Sequence, residues 1–139
     1  MVTTIDMQDL RHLNLFEKVT RIRTRFCFDY NNLIVFCVPK PMVFKAIGKE
    51  GENLKRISRI VGKRVRVIPA PRGIQDVKSF IESIVNPVTF KNVEVTDDEV
   101  VVTAGGTQTK AALLGRNKQR LWEMEKIIKG FFEKDYRVA

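Results

Sequence analysis

Two short glycine-containing segments carry the strongest functional signal in this sequence. In the first, Gly48 and Gly51 bracket Lys49 and Glu50, and apolar, helix-like stretches lie on both sides. Glycine removes the side chains that would keep a ligand away from the backbone, and amide groups at the start of a helix attract anions. The segment therefore predicts a contact with a phosphate backbone rather than a catalytic centre.

The second segment, Gly115-Arg116-Asn117-Lys118, also lies between apolar, helix-like stretches. Lys118 stands where the first segment has its last glycine, so charge is gained but the approach of a ligand to the backbone is expected to be poorer. In the first segment the unfavourable residue is Glu50, whose carboxylate weakens the attraction for phosphate. Nearby cations outnumber it, and they are Lys45, Lys49, Lys55 and Arg56. The first segment is thus expected to be the stronger site.

The positive charge is concentrated in the first half of the chain. Residues 1–70 hold 14 Lys and Arg against 6 Asp and Glu, whereas residues 71–139 hold 11 against 10. Most of this excess lies in a basic stripe whose members are Lys40, Lys45, Lys49, Lys55, Arg56, Arg59, Lys63, Arg64 and Arg66. Such density favours a polyanionic partner such as nucleic acid, with a merely solvated surface as the alternative.

The elements expected to carry the glycine segments occur twice in the same order. In the first half an amphipathic helix starts at Ile5, and strands over 25–30 and 33–38 flank the turn residues Asn31 and Asn32. Two helices around the first glycine segment and a closing strand follow, and a proline-rich linker ends this half.

The second half repeats this order. A helix over 74–85 precedes two short strands on either side of Asp97 and Asp98, and two helices flank the second glycine segment before a final strand. A duplicated α-β-β-α-α-β unit is the simplest organisation. It predicts an α+β protein with domains at 1–70 and 71–139.

These segments resemble known sequences. Ala46–Ile57 is similar to the GxxG segment of a KH domain, Phe80–Val88 resembles the junction between the tandem KH domains of the NusA family, and Leu114–Leu121 is similar to the second GxxG of that family. The resemblance implies two tandem type II KH domains, each an α/β sandwich. It further implies a short archaeal form without a polymerase-binding N-terminal domain or an oligonucleotide-binding barrel.

The resemblance also implies which residues contact RNA. KH loops clamp about four nucleotides of single-stranded RNA, which makes Gly48, Lys49 and Gly51 the first clamp and Gly115 and Arg116 the second. The full expected set is Lys45, Ile47, Gly48, Lys49, Glu50, Gly51, Lys55, Arg56, Arg59, Gly115, Arg116, Asn117, Lys118 and Arg120.

The apolar residues near the loops have two interpretations. Ile47 and Leu54 would suit the floor of a groove for bases, but packing in the core is the commoner role for such positions. The aromatic residues are expected mostly in the core, and no stacking role is assigned to any of them. They are Phe26, Phe28, Phe36, Phe44, Trp122, Phe131 and Phe132.

Other classes of protein lack support in the sequence. His12 has no recognisable nucleophile partner, and no phosphate loop of the GxxxxGK type occurs, so no enzyme, small-molecule substrate or cofactor is predicted. Cys27 and Cys37 are too few and too distant in sequence from His12 for a four-ligand zinc site, and free thiols are the usual state although their redox state stays open.

The cellular location of the protein is predicted from its apolar runs and its first residues. No apolar run approaches the roughly 20 residues of a membrane span, and the first residues lack the features of a secretory signal. A cytoplasmic location without membrane contact is therefore expected.

Together these features predict an RNA-binding protein that takes part in the control of transcription termination or elongation. The alternative is a structural or assembly KH protein of a ribonucleoprotein particle, associated with the ribosome. The sequence leaves open whether RNA polymerase is a partner, which RNA sequence is preferred, whether the second loop binds RNA, and the oligomeric state.

Overall fold

The computed structural model describes residues 7–139, and the chain forms two compact units within this range. The first unit ends at Pro71 and the second begins at Arg72. The predicted helix start at Ile5 lies outside the described residues.

The first unit contains three helices and a three-stranded sheet. Its elements are α1 (Met7–Thr20), β1 (Phe26–Tyr30), β2 (Leu33–Val38), α2 (Val43–Ile47), α3 (Glu52–Val61) and β3 (Arg64–Pro69). In the sheet, β2 lies in the centre, with β1 antiparallel and β3 parallel to it. Asn31 and Asn32 connect β1 and β2 with φ of 50° and 60°, which asparagine tolerates better than most residues.

The core of this unit lies between the helices and one face of the sheet. The rings of Phe16 on α1 and Phe36 on β2 stack with centroids 4.3 Å apart, and both side chains are fully buried. Ala46 of α2 and Ile57 of α3 belong to the same cluster, so the core holds the two helices that carry the first glycine segment.

The two cysteines are free, and the strand register explains why the hairpin does not pair them. Cys27 lies opposite Phe36, and Cys37 lies opposite Phe26. Since neighbouring residues of a strand point to opposite faces, the two thiols are on different faces of the sheet. Burial raises the pKa of the Cys37 thiol well above its usual range.

The second unit repeats the same order of elements. They are α4 (Val77–Val85), β4 (Asn92–Val95), β5 (Glu99–Thr103), α5 (Thr107–Leu114), α6 (Gln119–Phe132) and β6 (Asp135–Val138). Its sheet has the same arrangement, with β5 in the centre, β4 antiparallel and β6 parallel. Phe80 of α4 contacts Phe131 of α6 at a centroid distance of 4.9 Å.

The predicted α+β class is confirmed, and each half shows the order α-β-β-α-α-β. Of the seven aromatic residues expected mostly in the core, only Phe36 and Phe131 are buried, and Phe26, Phe28 and Phe132 are half-buried. The expectation is wrong for the other two, since Phe44 is 86% exposed and Trp122 is 57% exposed. Both lie on helices next to a glycine segment, where apolar residues on the outer face have no partner in the core.

Replacing Phe36 with alanine tests the stacked core. Phe36→Ala should lower the free energy of unfolding by about 3–5 kcal/mol, since it removes a fully buried ring. Urea unfolding of the full chain, followed by circular dichroism, measures the loss. The matched control is Phe44→Ala, which removes an exposed ring and should change stability by less than about 0.5 kcal/mol. Equal losses would contradict this description of the core.

Candidate nucleic-acid interface

The first glycine segment links α2 to α3 by a tight loop, Gly48–Gly51, called here the first loop. Gly48 has φ 81° and ψ 170°, a conformation that is open almost only to glycine. Glu50 and Gly51 follow with φ of 56° and 73°, and the Gly51 N–H donates to the Gly48 carbonyl at 3.1 Å. The loop thus turns the chain within four residues and delivers it to the start of α3.

Asn53 closes the first loop from the side of α3. Its Nδ2 donates to the carbonyl of Lys45 on α2 at 3.4 Å, so the side chain links the two helices across the loop. A Cβ on Gly48 would lie 2.9 Å from Cγ of Asn53. Glycine is therefore required at position 48 both for its backbone conformation and for the space under Asn53.

The second loop, Gly115–Lys118, has nearly the same backbone. Gly115 has φ 75° and ψ 174°, and Asn117 and Lys118 follow with φ of 55° and 60°. The Lys118 N–H donates to the Gly115 carbonyl at 3.1 Å, as in the first loop. Lys118 therefore adopts the same left-handed conformation as Gly51 at the end of the first loop. A lysine in place of glycine at this position adds a side chain but does not change the course of the backbone.

Arg120 has the same place in the second loop as Asn53 in the first. Its Nη1 donates to the carbonyl of Ala112 at 2.9 Å, and a Cβ on Gly115 would lie 2.6 Å from its Cγ. The side chain is half-buried. Arg120, predicted from the sequence as an RNA contact, thus holds α5 and α6 together.

A groove runs along the first unit between α3 and the edge strand β3. Its lining residues are Leu54, Lys55, Ser58, Arg59, Arg64 and Val65. Among these described residues three are cationic and none is acidic. The first loop stands at the start of α3, so the groove cations Lys55 and Arg59 follow the loop along the same helix, although Glu50 and Glu52 are also exposed at this junction.

The second unit has a groove at the same place, between α6 and β6, with a different chemistry. Its lining residues are Trp122, Glu125, Lys126, Lys129, Asp135 and Tyr136. Lys129 Nζ lies 3.5 Å from Asp135 Oδ1. Two carboxylates therefore balance two ammonium groups in this groove, and it offers less attraction to a polyanion.

The predicted site residues of the first unit gather on one surface. Lys45, Lys49, Lys55, Arg56 and Arg59 are exposed around the first loop and along α3. Ile47 and Leu54 are half-buried and pack against the core cluster. Leu54 also lines the groove, so it packs against the core and reaches the groove surface, and its contact with bases stays a prediction.

Sequence reasoning missed two features of this surface. Asn53 was not recognised as the residue that closes the loop, and Arg64 was counted only as part of the basic stripe. Partial burial lowers the pKa of the neighbouring Arg66, and the charge of Arg64 adds to this effect. Arg64 and Arg66 are two residues apart on β3, so they bring two like charges to one side of this strand.

Cys27 lies much closer to His12 in the structure than its distance in the sequence suggests. Asp9, His12 and Cys27 bring one oxygen, one nitrogen and one sulfur within 4.8 Å of one another, because β1 packs beside α1. These are three donors, one fewer than the four of a structural zinc site.

None of the helices in residues 7–139 has the length and apolar character needed to span a bilayer. No protein-family model matches the chain.

Curated archaeal proteins are similar to it. The probable transcription termination protein NusA of Methanococcus vannielii is 30% identical over 114 residues, which cover 80% of this chain and 64% of that protein. The protein of the same name from Methanocaldococcus jannaschii is 27% identical over 125 residues, which cover 88% of this chain and 67% of that protein. The chain thus spans about two thirds of the length of these relatives.

A solved structure supports the fold. The crystal structure of APE1850 matches with a TM-score of 0.67 and 21% sequence identity, over 96% of this chain and 99% of that one. The likeness in fold covers both α-β-β-α-α-β units, and the likeness in sequence covers most of the chain. These relatives bear out the resemblance to NusA proteins, and the chain is NusA-like; the assignment of its units as KH domains stays a prediction.

Proposed function

We propose that the chain binds single-stranded RNA and takes part in the control of transcription termination or elongation, by binding rather than by catalysis. Each unit is a KH domain in this proposal, and the protein works in the cytoplasm on nascent RNA. The observation that carries the proposal is the first loop, which opens onto a groove with three cations and no acidic lining residue. The names of the curated relatives support the part that concerns transcription.

The RNA would lie with a phosphate at the first loop and its bases along the groove. Backbone amide groups at the start of α3 face the loop, and the helix dipole favours negative charge there. Lys49 adds a positive charge at the same point, and Lys55 and Arg59 continue it along the groove. Half-buried Leu54 gives the bases an apolar contact.

The second unit makes the weaker contact in this proposal. Its loop has the same backbone with Arg116 and Lys118 as its cations, but its groove carries balanced charges. The second unit adds contacts with the RNA, and the first unit supplies most of the affinity.

A charge placed in the first loop tests the clamp. Gly51→Asp should weaken RNA affinity by about tenfold or more, or about 1.4 kcal/mol, because a carboxylate then faces the phosphate. Gly51 suits this test better than Gly48, since a Cβ there meets nothing nearer than Lys55 Cε at 4.0 Å. Fluorescence anisotropy with a labelled single-stranded RNA measures the change.

The matched control is Gly62→Asp at the far end of α3. Gly62 has φ 74° against 73° for Gly51, and a Cβ there meets nothing within 4 Å, so both variants carry the same charge change and a similar backbone strain. Gly62→Asp should keep most of the affinity. A loss as large as that of Gly51→Asp would show that net charge, not the loop, controls binding.

The ranking of the two grooves is tested by one charge reversal in each. Arg59→Glu should weaken RNA binding more than Lys126→Glu, because Arg59 lies among unopposed cations whereas Lys126 lies beside carboxylates. Both positions occupy the same place in their units, so their anisotropy titrations compare directly. Equal losses would refute the ranking of the grooves.

The cellular role is tested by crosslinking in the native cell, with sequencing of the bound RNA and analysis of copurified proteins. Nascent transcripts and RNA polymerase subunits are the expected partners. Stable recovery of mature ribosomal RNA with ribosomal subunits would instead favour the assembly role and contradict the part of the proposal that concerns transcription.

A further inference from the structure

Phe44 is the most exposed large apolar side chain among the described residues. It lies on α2 with 86% of its surface open to solvent, and Met42 beside it is 40% exposed. A solvent-exposed ring adds nothing to the core of its own unit. A single exposed apolar residue needs no ligand to explain it, so the case for a ligand depends on what lies around the ring.

The ring lies next to the first loop. The Gly48 N–H donates to the Phe44 carbonyl at 3.1 Å, so Phe44 is one helical turn before the loop begins. Its neighbour Lys45 is exposed, and the Lys45 carbonyl accepts the bond from Asn53 that links α2 to α3. The backbone that carries Phe44 is thus fixed relative to the loop.

The second unit shows that the fold does not need this ring. Ala111 stands at the same place on α5, and its carbonyl accepts the Gly115 N–H at 2.9 Å. The two loops have nearly the same backbone angles although one is preceded by an exposed aromatic ring and the other by a methyl group. The ring is accordingly a feature of the surface of the first unit and not of loop geometry.

We propose that Phe44 is a stacking platform for a nucleobase of the single-stranded RNA whose phosphate lies at the first loop. The inference rests on the proposed function and adds a base contact that the groove does not contain. Lys40, Lys45 and Lys49 are all exposed and lie within five residues of Phe44 in the sequence, so the ring belongs to a segment whose charge attracts phosphate. Bases splayed from single strands stack on aromatic rings with little dependence on sequence.

Stacking and simple apolar contact are separated by two substitutions. Phe44→Leu keeps an apolar side chain but removes the aromatic face, and should weaken binding of an oligouridine by about five- to a hundredfold. Phe44→Trp keeps an aromatic face and should retain the affinity. Leu10→Ala, which removes exposed apolar atoms from α1, outside the first loop and the groove, is the control and should have little effect.

The ligand is varied in the same experiment. A series of oligouridines is used in which the abasic nucleotide moves along the strand. At one position the missing base should lower the affinity of the wild-type protein. At that same position it should not lower the affinity of Phe44→Leu, which has already lost the stacking contact. The dependence of affinity on salt should be the same for wild type and Phe44→Leu, because the phosphate contacts remain.

The outcomes distinguish this inference from the function on which it rests. If Phe44→Leu binds as tightly as wild type while Gly51→Asp binds weakly, the stacking role is refuted and RNA binding at the loop stands. An equal loss in Phe44→Leu and Phe44→Trp also refutes stacking. Unchanged RNA affinity in Phe44→Leu together with loss of copurified RNA polymerase would assign the ring to a protein partner. If wild-type protein binds neither the oligouridine nor a single-stranded RNA of mixed sequence, the proposed function itself fails.

Discussion

Close contact between one glycine and one side chain sets the geometry of each loop. Gly48 lies under Asn53 and Gly115 lies under Arg120, at distances that leave no room for a Cβ. The same two side chains donate to carbonyls of the preceding helix. Each side chain therefore links the two helices and also fills the space next to the glycine. The helix that follows each loop packs back against the last strand of its own unit.

The rest of the interface follows from that arrangement. Because α3 starts at the loop and packs over the sheet, its outer face meets the edge of β3 and forms the groove. The parallel pairing of β3 with β2 brings Arg64 to this edge, far in sequence from Lys49 but on the same positive surface. One backbone design occurs in both units, and the side chains added to it decide how strongly each attracts a polyanion.

The sequence predicted much of this fold because the signals were local. Asn31 and Asn32 mark a turn by their tolerance of positive φ, and the apolar periodicity of α3 marks its buried face. Features that depend on distant contacts were not predictable in this way. The pairing of Asn53 with Lys45, the charge balance in the second groove and the approach of Cys27 to His12 all require knowledge of which elements pack together.

Residue type alone also misled, although not at Lys118. At φ 60° Lys118 keeps the course of the loop backbone, and its hindrance to an approaching ligand stays a prediction. Phe44 was expected in the core, but α2 has only five residues and buries only Ala46 completely, so an aromatic ring on its outer side stays exposed. Short helices next to loops offer too little buried surface for composition to decide where an apolar side chain lies.

Amide chemical shifts of the full chain, followed during titration with a single-stranded RNA, test the central claim most directly. The account predicts that the largest changes fall on Gly48–Gly51 and along α3 and β3, with smaller changes in the second loop. Changes confined to the second unit, or to helix α1, which contributes no residue to the loop or the groove, would contradict it.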